Sequence, residues 1–234
     1  MNPFTAPEAP RIARASLVIG VAFVVFGASF GVLAVSAGAS VAQTCALSLL
    51  AFTGASQMSA VSVIASGGSV ASAMGGAVLL AARNTVYGLA LAREVDGRVV
   101  TRIVGSQWVI DETTALVSAE HDARSRRVAF WVSAPILYGA WNLGTLAGAL
   151  AGGSIDPETF GLDAAFPVMF TAMVAPHLRS AAGRRAALFG GVVTVVLAPF
   201  LPVGLPILVA SLGMLFGLRS DDAADIVAAS DGAP

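Results

Sequence analysis

Residues able to do chemistry are few in this sequence, and most lie inside or beside long apolar runs. The first group is Phe52-Thr53-Gly54-Ala55-Ser56-Gln57. Gly54 loosens a helix, while Thr53, Ser56 and Gln57 carry groups that hydrogen-bond freed backbone. Unwound backbone at membrane depth is tolerated only where it is buried in protein or lines a cavity. Such a break offers N–H groups to a carboxylate and C=O groups to an ammonium, the two ends of a zwitterion. The same residues also suit a polar patch joining two helices, and at this level both readings stay open.

Arg83 and Asn84 form the second group, with Tyr87 one helical turn beyond Arg83. An arginine at the centre of a membrane helix costs at least about 2.5 kcal/mol, so it needs a partner or a wet cavity. A guanidinium can bond a carboxylate bidentately, which points to an anion or an internal acid. The alternative is a snorkelling side chain near the helix end, since Arg93 follows soon after. Asp111 and Glu112 form the third group, flanked by Trp108, Val109, Ile110 and Leu116. Adjacent carboxylates in apolar surroundings hold protons more tightly and are candidates for proton transfer, with Arg83 as a partner for one of them. Composition alone favours the plainer reading, an interfacial amphipathic helix with its acids in water. Trp141 and Asn142, with Tyr138, sit well inside an apolar segment rather than at its edge, where a pocket wall is one use for them. His177, after Pro176, reads as a loop residue.

Other chemistry finds no residues. The sequence has no G-x-x-x-x-G-K-[ST] phosphate loop, no H-E-x-x-H, no Cys/His cluster and no G-x-S-x-G elbow. An ATP motor, a metal site, a cofactor and an enzymatic role are therefore not expected. Cys45 is the one cysteine and reads as a small hydrophobe.

The elements that must position these groups are membrane helices. Only 12% of the residues are charged, against roughly 25% in a soluble domain, and mean hydropathy is +0.82. Residues 15–82 carry no charge, a run of 68. Residues 128–155 and 186–218 are two further uncharged runs. One spanning helix needs about 20 apolar residues, so the chain reads as an all-α, polytopic transmembrane bundle of about seven segments. These are 16–35, 41–65, 69–92, 128–150, 164–178, 186–198 and 207–218. Residues 1–15 read as a polar N-terminal arm, 16–218 as a single transmembrane domain, and 219–234 as a disordered acidic tail. Arg11 and Arg14 before an apolar stretch imitate a secretory leader, but the stretch is long enough to span and is read as an uncleaved first helix.

All 13 basic residues are arginines, and eleven of them gather at 11–14, 93–102, 124–127 and 179–185 between apolar runs, as in cytoplasmic loops. A nucleic-acid surface is excluded, because basic residues do not form a polar face. The second half gives a consistent topology, with the acidic loop of Asp156, Glu158 and Asp163 outside. The first half does not, since three segments lie between two arginine clusters that both belong in the cytoplasm. Three resolutions stay open: segment 41–65 is broken or re-entrant, the N-terminal signal loses, or residues 103–120 dip into the membrane. Gly27/Gly31, Gly144/Gly148 and Gly213/Gly217 are G-x-x-x-G spacings that let helix backbones approach closely. Phe26-Gly27-Ala28 and Tyr138-Gly139-Ala140, followed by Phe52-Thr53 and Phe170-Thr171, raise the idea of inverted three-segment repeats.

These words, in this order, resemble the AzlC family of branched-chain amino-acid permeases, the large subunits of two-component exporters. The resemblance runs from about residue 16 to 218. It rests on Gly54-Ala55-Ser56-Gln57, on Arg83-Asn84-Thr85-Val86-Tyr87-Gly88, on Ile110-Asp111-Glu112, on Trp141-Asn142-Leu143-Gly144-Thr145 and on Gly161-Leu162-Asp163-Ala164-Ala165-Phe166-Pro167. Where the family carries Asn and His beside the arginine, this chain has Ala81 and Asn84, which bears on the substrate and on any proton-coupling role of that His. The resemblance implies export of branched-chain amino acids across the cytoplasmic membrane, with a small AzlD-type membrane subunit. It strengthens Gln57, Arg83, Asp111 and Glu112 as pathway residues, and with the reading of the residues above the candidate pathway is Thr53, Gly54, Ser56, Gln57, Arg83, Asn84, Tyr87, Asp111, Glu112, Trp141 and Asn142. The competing expectation is a non-transporting scaffold that stabilises a small membrane partner.

Overall fold

The structure, a computed structural model, describes residues 3–95, 97–152, 168, 171, 174–175, 177–201, 205–210 and 212–213. The acidic loop at 156–163, the Gly161–Pro167 element, more than half of segment 164–178, residues 214–218 and the tail 219–234 fall outside the described residues. The described elements are helical, with no strand among them: α1 Ala9–Ser36, α2 Val41–Leu50, α3 Ala55–Ala65, α4 Val70–Ala90, α5 Val99–Gln107, α6 Asp111–Ser118, α7 Ala123–Ala151, α8 Ala181–Leu197 and α9 Leu205–Ala210.

Local chemistry sets several of the boundaries. Ser40 and Gln43 form a capping box on α2, the Gln43 N–H donating to Ser40 Oγ (3.2 Å) and the Ser40 N–H to Gln43 Oε1 (2.8 Å). Ser69 Oγ accepts from the Ser72 N–H (3.1 Å) and starts α4. Asp122 Oδ1 accepts from the N–H groups of Arg124 (3.0 Å) and Ser125 (2.9 Å) and starts α7. The expected arm at 1–15 is corrected in one respect: α1 begins at Ala9, with Pro10 tolerated in its first turn. Ala6, Ala9 and Ile12 are buried against Leu91, Val95 and Val128, and that burial orders the segment.

The centre of the fold is the α1–α7 pair. Gly20 lies beside Ala140, Gly144 against Val24, Gly148 against Ala28 and Gly152 against Val32. Equal steps in the same direction mean that the two helices run parallel. A methyl on Gly148 would land on the Ala28 carbonyl, and one on Gly144 on the Val24 carbonyl. Only glycine permits this approach, which gives dispersion contact along the whole seam. The parallel course does not fit an inverted repeat pairing Phe26-Gly27-Ala28 with Tyr138-Gly139-Ala140, because such repeats set their first helices in opposite directions.

The 41–65 segment is broken, as the glycine suggested. α2 stops at Leu50, α3 starts at Ala55, and Gly54 between them has φ +55°. α3 turns back towards the end from which α2 came, with a recess between them. Thr44 of α2 and Val61 and Ile64 of α3 share a recess with Ala34 and Ala37, at the C-terminal end of α1. The tip at Phe52–Gly54 instead meets Ile19 and Phe23, near the middle of α1. α4 then returns to the other end, where Tyr87 and Leu91 pack with Ala6, Ala9 and Ile12.

Residues 99–118 fold back from that other end. Ile110, between α5 and α6, packs with Phe52, and Gln107 Nε2 donates to the Leu49 carbonyl (3.2 Å). Buried Thr113 shapes this second tip, accepting from the Ile110 N–H (3.0 Å) and donating to the Trp108 carbonyl (3.0 Å). Three ion pairs then tie the elements together at the α1 N-terminal end: Arg11–Glu120 (2.6 Å), Glu8–Arg124 (3.8 Å) and Glu94–Arg126 (2.6 Å). Two broken hairpins thus enter from opposite ends and meet tip to tip beside α1 and α7.

Candidate functional site

Where the tips meet there is a cavity of about 180 Å³. Its apolar wall comes from one stripe of α1, Ile19, Phe23 and Phe26, together with Phe52 and Trp141. The spacing i, i+4, i+7 places the α1 residues on one helix face. Trp141 is held edge-on by Phe23 (centroids 5.9 Å) and stacked by Phe30 (6.0 Å). Its polar end comes from Arg83 of α4 and from Asp111 and Glu112 in the first turn of α6. Thr53, Gly54 and Ala55 of the first break close the third side.

Arg83 Nη1 and Asp111 Oδ2 are 2.7 Å apart, with side chains 30% and 27% exposed. The arginine therefore has the internal acid that its position required. Tyr87 stands within interaction range of Asp111 and Arg83. Arg83 Nε, Ser56 Oγ, Gln57 Oε1 and Trp141 Nε1 are buried without a hydrogen-bond partner. Buried polar atoms normally find one, and of these four, Arg83 Nε and Trp141 Nε1 belong to residues that line the cavity.

The structure sorts the residues singled out in the sequence. Thr53, Gly54, Arg83, Asp111, Glu112 and Trp141 line the cavity. Ser56 and Gln57 lie buried in the first turn of α3. Gln57 Nε2 donates to the Leu47 carbonyl (2.9 Å), so its amide braces the end of α2 freed by the break. Asn142 is committed to structure: its Oδ1 accepts from Ser48 Oγ (2.8 Å) and its Nδ2 donates to the Tyr138 carbonyl (2.8 Å). Asn84 is not among the cavity residues.

Sequence reasoning passed over the α1 stripe. Its signal, Ile19, Phe23, Phe26 and Phe30 at helical spacing, is indistinguishable from ordinary core until the partner helices are known. It also passed over Gln107, which donates to the Leu49 carbonyl at the break together with Tyr138 Oη (3.0 Å), a residue read only as a pocket wall. Free carbonyls at a broken helix need donors, but which donors arrive is a tertiary matter.

The AzlC protein family matches residues 18–155, more than half of the chain. The chain belongs to the AzlC family. The match contains every candidate site residue, from Thr53 to Asn142, and both broken hairpins. The Gly161–Pro167 element lies beyond it. No curated protein and no solved structure matches the chain. Family and fold together mark this AzlC-family chain as a membrane protein. Among the described residues one helix, Ala9–Ser36, is long and apolar enough to cross a membrane by length and composition.

Proposed function

We propose that this AzlC-family chain is a secondary transporter that exports branched-chain amino acids across the cytoplasmic membrane, working with a small AzlD-type subunit. One observation carries the reading. A small cavity, apolar on one side and charged at one end, lies at the meeting point of two broken helices. Transporters place substrate where discontinuous helices offer free backbone groups at mid-membrane. The volume of about 180 Å³ is below the ~300–1,000 Å³ of pockets for drug-sized ligands and suits a small solute. Apolar walls suit an aliphatic side chain, and the polar end suits a charged head.

In this reading residues 16–218 form one multi-pass permease domain. Helices α1, α4 and α7 cross the membrane, while α2–α3 and α5–α6 dip in and return. Such a path removes the conflict in the arginine distribution. With α2–α3 returning to its own side, only two crossings separate Arg11/Arg14 from Arg93–Arg102, and both clusters stay cytoplasmic. Arg83 and the Asp111/Glu112 pair line the pathway, and Gln57 supports it from behind.

Cells loaded with leucine or valine provide the test. Arg83→Ala lowers efflux by about tenfold or more at normal expression, the scale expected when a charged partner is removed from such a site. Gln57→Ala lowers efflux through a loosened break. Wild-type efflux in both variants contradicts the site assignment.

A further inference from the structure

Helix α5, Val99–Gln107, is a poor helix by its own sequence. Five of its nine residues are β-branched: Val99, Val100, Thr101, Ile103 and Val104. A helix this short does not hold alone in water. The rest of the protein supports it at one point, where Gly105, its one buried residue, lies against Val95, Phe130 and Trp131. On the side away from Gly105, Val99, Val100 and Ile103 are 71%, 72% and 66% exposed, with Val104 beside them. Their spacing makes one apolar stripe. Arg98 at the helix start and Arg102 one turn on border that stripe, and Arg93 stands in the turn after α4. All three are exposed, and none forms an ion pair among the described residues. The neighbouring acids do not cancel them. Glu94 is held by Arg126 at 2.6 Å. Asp96 lies outside the described residues, and counted in full it still leaves two of the three arginines uncompensated. A stripe of aliphatic groups flanked by arginines fits the boundary of a bilayer. The aliphatic groups enter the acyl region, and the guanidinium groups reach back to the headgroups. The uncompensated charge then favours anionic headgroups over zwitterionic ones.

We propose that α5 lies in the membrane boundary and that Arg93, Arg98 and Arg102 bind the headgroups of anionic phospholipids there. The contact supplies the surface that so weak a helix needs, and it fixes the start of the hairpin whose tip reaches the cavity. The assignment goes beyond the transport reading and rests only on the membrane placement of the chain, so failure of transport leaves it intact.

The test uses the full-length chain, alone and with its small subunit, in nanodiscs of equal parts phosphatidylcholine and phosphatidylglycerol. A fluorophore is attached at Val100→Cys in a Cys45→Ser background. Bromine on the acyl chains of one lipid at a time quenches the label where that lipid touches it. Phosphatidylglycerol associates at this position at least about fivefold more strongly than phosphatidylcholine, the scale of one arginine beside an anionic surface. The preference falls towards equality in Arg98→Gln with Arg102→Gln, at an unchanged melting temperature, and also in high salt. A label at Val195→Cys, on an exposed part of α8 away from these arginines, shows no preference. Equal quenching by the two lipids at Val100 overturns the proposal, as does an equal preference at Val195 or a preference that survives loss of both arginines. Absence of quenching by either lipid also overturns it, because the stripe then faces water or protein. Quenching that appears only without the small subunit does the same and makes that subunit the occupant.

Discussion

Arg83 shows what could be read from a single residue. An arginine in an apolar segment demanded a partner, and Asp111 was a candidate from composition; the structure sets them 2.7 Å apart. Removing one member strands the other's charge in a half-buried place. Arg83→Ala and Asp111→Asn each lower stability by about 1–3 kcal/mol, discounted for the pair's partial exposure. The double variant recovers most of that loss without recovering transport. Thermal unfolding in detergent beside an efflux assay separates the two effects. Gly54 was legible as a break but not in its geometry. Its φ of +55° with ψ of −84° is strained for any side chain, and a methyl there approaches Trp141 Cη2 at 3.7 Å. Gly54→Ala costs on the order of 1–3 kcal/mol and lowers efflux, whereas Gly88→Ala, with open space around it, is nearly silent. Asp122 titrates at the start of α7. Hydrogen bonds from the Ser125 side chain and backbone hold its carboxyl below the usual carboxylate range. Its cap therefore contributes stability above the unfolded-state pKa and loses it as pH falls through the lower folded value. Asp122→Asn removes that part of the acid dependence of unfolding, which a pH series of melting curves detects.

At the scale of elements, glycine spacing predicted close helix packing but not which helices meet. Gly27/Gly31 and Gly144/Gly148 turn out to face one another along a parallel seam. The partner of a G-x-x-x-G face lies far away in sequence, so periodicity cannot name it. Gly148→Leu drives a side chain into the Ala28 carbonyl. The seam opens at a cost of about 1–3 kcal/mol or more, seen as lost folded yield and a lower melting temperature. The fold-back of α2–α3 was legible as one of several resolutions, because the arginine count conflicted with simple spans. The matching fold-back of α5–α6 was harder to read. Residues 99–118 mix polar and apolar residues like a surface helix pair; packing beside Phe52 and Tyr138 accounts for Trp108 and Ile110, while Val99, Val100 and Ile103 stay exposed.

For the whole molecule, apolar bulk and uneven charge were enough to indicate a membrane protein, and the family match agrees with that. They did not give the number of crossings, because a helix of ten residues and one of twenty-eight are equally apolar. Single cysteines in a Cys45→Ser background test the proposed path. Ala37→Cys and Ser66→Cys take up an impermeant thiol reagent from the same, external side. A simple spanning segment at 41–65 would place Ser66 inside. The central claim, transport of branched-chain amino acids through the cavity at the two breaks, meets its most direct test in counterflow. Proteoliposomes holding the chain and its small subunit are loaded with unlabelled leucine and exposed to a trace of labelled leucine. The account predicts transient accumulation of label, lost in Arg83→Ala. Absence of accumulation with a folded complex would contradict it.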